Sequence, residues 1–291
     1  MTTAFQSRCK INPVSSRIKL LAIDIDGTLL DSKHQLPAGN QQALQRAHDA
    51  GVEVVLVTGR RHQYAMSIAG MLGFEHWIIS SNGAVTRSTS GEPFHRDLLP
   101  MASARALIAH MDSFRRQLVL TFDVETRGAI VIEELEAMTR SIRLWLERNM
   151  EYIEFVRPIE NALLTDPVQA MFCGPIALMR QAEALLADPA IRAQATILKT
   201  QYDHRDLCIL DVLNRDCSKG HAVKRWTAFK GLDPEEVMAI GDNYNDVEML
   251  EFAGHAVIME NACPELKQNG WQVTLSNDQC GVAAAIEGIL H

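Results

Sequence analysis

The chain has 291 residues, 47% of them hydrophobic and 22% charged, the balance of an ordinary soluble globular protein with room for one large domain or two modest ones. A formal net charge of -8 weighs against a general nucleic-acid or anionic-membrane binder, and no apolar stretch approaches the roughly 20 residues that span a bilayer. Six cysteines with no Cys-x-x-Cys pair and no zinc-like grouping with histidine read as reduced thiols of a cytoplasmic protein.

Residues 1–16 carry Arg8 and Lys10 but no acid and no apolar signal core, and read as a flexible extension, a transit segment being the other reading. Ile18, Leu20, Leu21, Ala22 and Ile23 predict a strand buried on both faces, ending in Asp24-Ile25-Asp26 with Gly27 for the turn. A helix over Pro37 to Ala50 and a β-branched strand from Val52 to Val57 complete a βαβ unit. Its two strands are therefore expected to be parallel, which brings Thr58-Gly59 to the same sheet edge as the two acids. Open α/β sheets place their ligands at that edge.

A helix over Arg61 to Leu72, a strand Trp77 to Ser80 and a hairpin over Ala84 to Leu98 follow. From about Leu99 the texture changes. Helices are expected over Met101 to Arg116 and Leu135 to Met150, around an antiparallel pair Leu118 to Val124 and Ala129 to Ile132. An irregular piece with Pro158, Pro167 and Pro175 holds a strand over Gln169 to Cys173, followed by helix Ile176 to Leu186 and strands Thr196 to Tyr202 and Leu207 to Leu213. The alternating βα pattern then resumes: helix Lys219 to Phe229, strand Val237 to Ile240, helix Asp246 to Phe252, strands Ala256 to Met259 and Val273 to Leu275, and helix Val282 to Leu290. The reading is an α/β protein: a doubly wound parallel sheet built from residues 17–97 and 214–291, with an α+β unit inserted over residues 98–213.

Four pieces stand in order along the chain: Asp24-Ile25-Asp26-Gly27-Thr28, Thr58-Gly59-Arg60, Ser218-Lys219-Gly220 and Gly241-Asp242-x-x-Asn245-Asp246. As a set they resemble the motifs of the haloacid dehalogenase-like superfamily, and most closely its Cof-type phosphatases with a type IIB α/β cap. Ser80-Ser81-Asn82-Gly83-Ala84 and Met259-Glu260-Asn261-Ala262 carry the same likeness. The resemblance implies a Rossmann-like core and hydrolysis of small phosphorylated metabolites, most expectedly sugar phosphates, with Mg2+ as cofactor and no nucleic-acid or membrane partner.

By that resemblance Asp24 is the nucleophile that forms an aspartyl-phosphate, and Asp26 is general acid and then base with its carbonyl on the metal. An acid working near neutral pH needs a raised pKa, so a nearby anion or burial is expected around Asp26. Asp24 and Asp242 supply carboxylates to the cation. Thr58, Gly59, Lys219, Asn245 and the N–H of Ile25 are expected to hold the phosphoryl group, with Lys219 also keeping Asp24 ionised. Lys219 otherwise reads as a solvated helix-start lysine, and Asn245 as a helix-start residue. Asp246 is open between a further ligand or orienting role and a helix cap. Asn82 and His204 are candidates for contact with substrate, His204 against the alternative of an exposed loop histidine. Arg60, Arg61 and His62 read as a solvated helix start in preference to an anion patch, and Trp145 as packing. Two other functions fit the same residues: a phosphomutase-type phosphotransferase on this fold, and a regulatory protein that binds a phosphometabolite without turning it over.

Overall fold

The structure is a computed structural model that describes residues 18–136 and 138–287, and for His204 the backbone only. The extension expected over residues 1–16 lies outside the described residues. The chain opens with β1 (Leu20–Asp24), α1 (Ala38–Asp49), β2 (Glu53–Val57), α2 (His62–Ala69), β3 (Trp77–Ser80) and the strands β4 (Val85–Ser88) and β5 (Pro93–Arg96). The insert contains α3 (Met101–His110), β6 (Leu118–Thr121), β7 (Ile130–Ile132), α4 (Arg140–Glu147), β8 (Ile153–Phe155), β9 (Gln169–Gly174), α5 (Ile176–Leu186), α6 (Pro189–Arg192), β10 (Ala195–Tyr202) and β11 (Leu207–Asn214). The chain then returns through α7 (Lys219–Phe229), β12 (Val237–Gly241), α8 (Val247–Phe252), β13 (His255–Ile258), β14 (Gln272–Val273) and α9 (Gly281–Glu287).

The core sheet has the order β14-β13-β12-β1-β2-β3-β4-β5, parallel from β14 to β3 and antiparallel in the β4–β5 hairpin at its edge. Alternation along each strand sends side chains to both faces. Leu21, Ile23, Val54 and Leu56 pack under α1, α2 and α9, whereas Leu20, Ala22, Val55 and Val57 pack against Val223 and Trp226 of α7 and Met249 of α8. With both faces covered, β1 is buried throughout, as its continuous apolar run requires. The chain leaves β1 toward β2 on one side and returns to it as β12 on the other, so the strand order reverses at β1 and opens a crevice at its carboxyl end.

The insert forms a second sheet in the order β10-β11-β9-β6-β7-β8. One face packs Leu118, Leu120, Phe172 and Leu210 against α3 and α5. On the other face Val119, Ile132 and Met171 meet Ile142 and Leu146 of α4. The remainder of that face looks onto the crevice at the end of β1. The two crossings between sheets are pinned together: Asn214 Nδ2 donates to Asp97 Oδ1 at 2.7 Å and Arg225 reaches the other oxygen at 3.4 Å.

Several elements differ from expectation. The helix expected over Leu135 to Met150 is the shorter α4, because Thr139 is an N-cap whose hydroxyl accepts from the Ile142 N–H at 3.5 Å. The helix expected to reach Arg116 stops at His110 and continues as a tighter 3-10 stretch, Asp112–Gln117. The irregular piece before Pro158 contains β8, paired in parallel with β7.

Candidate active site

Asp24 closes β1 and Asp242 follows β12, and these strands are parallel neighbours. The chain therefore delivers two acids to one point although 218 positions separate them, and Asp246 joins from the first turn beyond. One carboxylate oxygen from each of Asp24, Asp242 and Asp246 lies within 4.8 Å of the others. Gly27 makes the approach possible. Its φ of +86° is left-handed, and a Cβ built there would stand 2.2 Å from Asp242 Oδ2. Thr28 then donates to Asp242 Oδ1 at 3.2 Å, a contact the sequence reading did not anticipate.

Lys219 opens α7, 1% exposed, with Ser218 as N-cap accepting from the His221 N–H at 3.1 Å. Its ammonium donates to Asp24 Oδ1 at 2.6 Å and to Asp246 Oδ1 at 2.7 Å, so it is not a solvated surface lysine. Burial alone would depress the ammonium, but Asp24 and Asp246 outweigh it and raise its pKa above the usual lysine range. Asp246 uses its other oxygen on the backbone N–H groups of Asp242 and Asn243, both at 3.0 Å. It is thus both helix cap and orienter of Lys219. Burial pushes the Asp24 carboxyl up to about 7 against the opposing charge of Lys219. Burial and the charges of Asp24 and Asp246 also raise Asp242 well above the ordinary carboxylate value.

The raised pKa expected for Asp26 is overturned. Burial would raise this carboxyl, but the hydrogen bonds and charge of Arg60, with His34 Nδ1 3.8 Å away, outweigh it and hold it below the usual carboxylate range. Arg60 grips it with two donors, Nε at 2.6 Å and Nη2 at 2.5 Å, in the fork geometry that suits a carboxylate. Arg60 is accordingly not a solvated helix start. The register explains the pairing: Asp24 faces Val57, so two residues further on Asp26 comes alongside Gly59 and Arg60.

A cavity of about 260 Å³ lies between the sheets, with Asp24, Asp26, Gly59, Asn82, Asp242 and Asn245 in its floor. Trp145, Met171, Tyr202, Leu207 and Ile209 contribute an apolar and aromatic roof, so Trp145 does more than pack. Ile25 has its side chain in the core between the two acids. Thr58 is buried, its hydroxyl accepting from the Arg60 N–H at 3.1 Å. Asn245 Nδ2 donates to Asn82 Oδ1 at 2.9 Å, and Asn82 Nδ2 donates to Asp211 Oδ2 at 2.9 Å. The His204 backbone lies in the turn between β10 and β11, and its side chain lies outside the described residues. Asp211 was not singled out from sequence, although a lone acid inside the apolar run Leu207 to Leu213 was a signal, since a buried carboxylate needs partners. Burial pushes its carboxyl up to about 7.

The donor set suits a hard divalent cation: all oxygens, two carboxylates from adjacent strand ends, and mutual repulsion that a cation would relieve. The third carboxylate, Asp246, already spends its oxygens on Lys219 and two backbone N–H groups, so Asp24 and Asp242 are the side chains that could hold such a cation.

Comparison with known proteins matches this geometry to a family. The family model for haloacid dehalogenase-like hydrolases fits residues 21–286. The chain belongs to the haloacid dehalogenase-like hydrolases. This hydrolase is 32% identical over 289 residues to the phosphatase YwpJ of Bacillus subtilis, covering 94% of its own length and all of the relative. It is 28% identical to the 5-amino-6-(5-phospho-D-ribitylamino)uracil phosphatase YwtE of the same organism, covering 94% of this chain and 98% of that one. A solved haloacid dehalogenase-like hydrolase from B. subtilis superposes with a TM-score of 0.77 at 28% identity, over 93% of this chain and 99% of the other. The hydrolase is a phosphatase of the Cof type, with a Rossmann-like core and an inserted cap.

Proposed function

We propose that this hydrolase removes the phosphoryl group from small phosphorylated metabolites with magnesium as cofactor, through an aspartyl-phosphate on Asp24. The observation that carries this reading is the convergence on Asp24 of a buried ammonium and a second carboxylate at the floor of the cavity between the two sheets. Asp24 Oδ1 is held by Lys219, which fixes the carboxylate and favours its ionised, nucleophilic form. Asp24, Asp242 and the carbonyl of Asp26 are the groups that would hold magnesium, which when bound offsets repulsion between the nucleophile and the anionic ester. The Gly59 backbone, the Asn245 amide and Lys219 surround the phosphoryl group, and the cap shields it from bulk water.

Asp26 is the proton carrier for the leaving oxygen and the attacking water. The Arg60 fork aims it but favours its charged form, so it takes up its proton only when the arriving phosphate dianion competes for Arg60. Sugar phosphates are the substrates that the family resemblance suggests, and the cap roof makes the choice of leaving group. The free Cys173, Cys208, Cys217, Cys263 and Cys280 favour a cytoplasmic setting. No described helix is long and apolar enough to cross a membrane.

The test is a screen of phosphorylated metabolites with and without magnesium, run in isotope-labelled water. Labelled inorganic phosphate in the magnesium arm is the expected result. An isomerised sugar phosphate without label would mean transfer of the phosphomutase kind. Binding without turnover across the panel, including a generic aryl phosphate, would mean a regulatory protein.

A further inference from the structure

Asp211 lies within β11, in register with Leu198 on β10 and Met171 on β9, and is 5% exposed. A carboxylate in such surroundings is held only where each oxygen is hydrogen-bonded. Oδ1 accepts from Gln169 Nε2 at 3.1 Å, within the cap. Oδ2 accepts from Asn82 Nδ2 at 2.9 Å, across to the core.

Asn82 sits in the turn after β3 with a left-handed φ of +53°, between Ser81 and Gly83, which are also left-handed. Its Oδ1 accepts from Asn245 Nδ2 at 2.9 Å, and the same oxygen stands 3.1 Å from where a Cβ on Gly59 would be. Three buried side chains thus run in one line from the cap sheet to the loop that follows Asp242. The line has a direction. Once ionised, the carboxylate has only acceptors, so Asn82 then turns its NH2 toward Asp211 and its carbonyl toward Asn245, as the two hydrogen bonds have it. Only a donor fits there, which fixes the Asn245 amide with its nitrogen toward Asn82 and leaves that nitrogen's second N–H for a ligand.

We propose that Asp211 is a positioning residue for the phosphate end of the site: it sets the amide orientation of Asn82 and, through it, of Asn245, without touching the transferred group. The proposal rests on the phosphatase reading, in which Asn245 serves the phosphoryl group. A brace that merely ties cap to core would support stability and leave phosphate affinity alone.

A double-mutant cycle on the full chain separates the two. Asp211→Ala, Asn82→Ala and the double variant are compared at pH 8 for affinity toward inorganic phosphate and for kcat/KM with p-nitrophenyl phosphate and magnesium. Asp211→Ala is expected to weaken phosphate binding about tenfold, Asn82→Ala at least as much, and the double variant no more than Asn82→Ala. Asp211→Asn keeps an acceptor toward Asn82 once the Gln169 amide turns over, and should bind phosphate within about threefold of the parent. Should the alanine variant fail to fold, Asp211→Leu fills the volume with a side chain at home in this strand and is read in its place. Unchanged phosphate affinity with a lowered melting temperature overturns the proposal, as do effects of Asp211 and Asn82 that multiply. Either result alongside normal parent turnover leaves the phosphatase reading standing. A parent chain that neither hydrolyses the ester nor binds phosphate overturns both.

Discussion

Lys219 shows how the residues of the site depend on one another. Its stem threads the core and its ammonium is shared by two buried carboxylates, so removing it strands both. Lys219→Met should lower stability by about 3–5 kcal/mol, the usual result of breaking a buried pair, and weaken phosphate binding in the same variant. Equal melting and equal phosphate affinity would remove Lys219 from both roles. Asp24→Asn keeps the shape but not the nucleophile, and should abolish turnover while the chain still melts cooperatively; near-parent rates in a clean preparation would take Asp24 out of the chemistry. Asp211 gives a pH test. Its carboxyl stands at about 7 when folded against an ordinary 3.8, so between those values the folded chain keeps a proton the unfolded chain has lost. Stability from this group therefore falls as pH rises through that window and levels off above it, a swing of about 4 kcal/mol at most. Asp211→Asn should flatten the decline between pH 5 and pH 8 in denaturant melts, and an unchanged profile would count against it. Asp24 and Asp242 were legible because each acid ends a buried apolar strand, whereas Lys219 was legible only through its place in the family motif. Arg60, Asp211 and Thr28 were not, because their partners are fixed by strand register and by the seating of one sheet over another.

At the scale of elements, strands buried on both faces and helices with clear ends were the readable parts. Ile176–Leu186 and Lys219–Phe229 match their expected bounds because Pro175 and Ser218 mark their starts. The cap was harder. β8 is three residues long with two of them exposed, and finds its place only by pairing with β7, which nothing in Ile153-Glu154-Phe155 announces. α4 was overextended because Thr139 was passed over as a cap. This short helix supplies Trp145 to the cavity roof, where on the proposed reading it would meet the leaving group rather than the phosphoryl centre. Trp145→Ala should raise KM severalfold for esters with large leaving groups and leave kcat for p-nitrophenyl phosphate within about twofold; a uniform loss of kcat would show that the helix acts on the reacting centre.

For the whole molecule, the acid cluster ties stability to a cation. Burial and mutual repulsion push Asp24 and Asp242 toward their protonated forms, and a divalent ion bound there would relieve both at once. On the proposed reading, magnesium at about 100 times its dissociation constant should add about 2.7 kcal/mol to the folded state, or several degrees of melting temperature for a chain of this size. Asp242→Asn should erase that increment; an equal rise in the variant would place the ion elsewhere.

The position of β1 between β2 and β12 also bears on how the polypeptide is made. During synthesis β1 and β2 emerge early, yet β1's other edge has no neighbour until Val237–Gly241 has left the ribosome. The cap strands, by contrast, find all their partners within residues 118–214 and can close their own sheet in the interval. A product terminated before Val237 would carry a strand made to be buried with one side bare, the template for edge-to-edge aggregation. Premature stops in this gene should therefore yield inclusion bodies or degradation, and no partially working fragment.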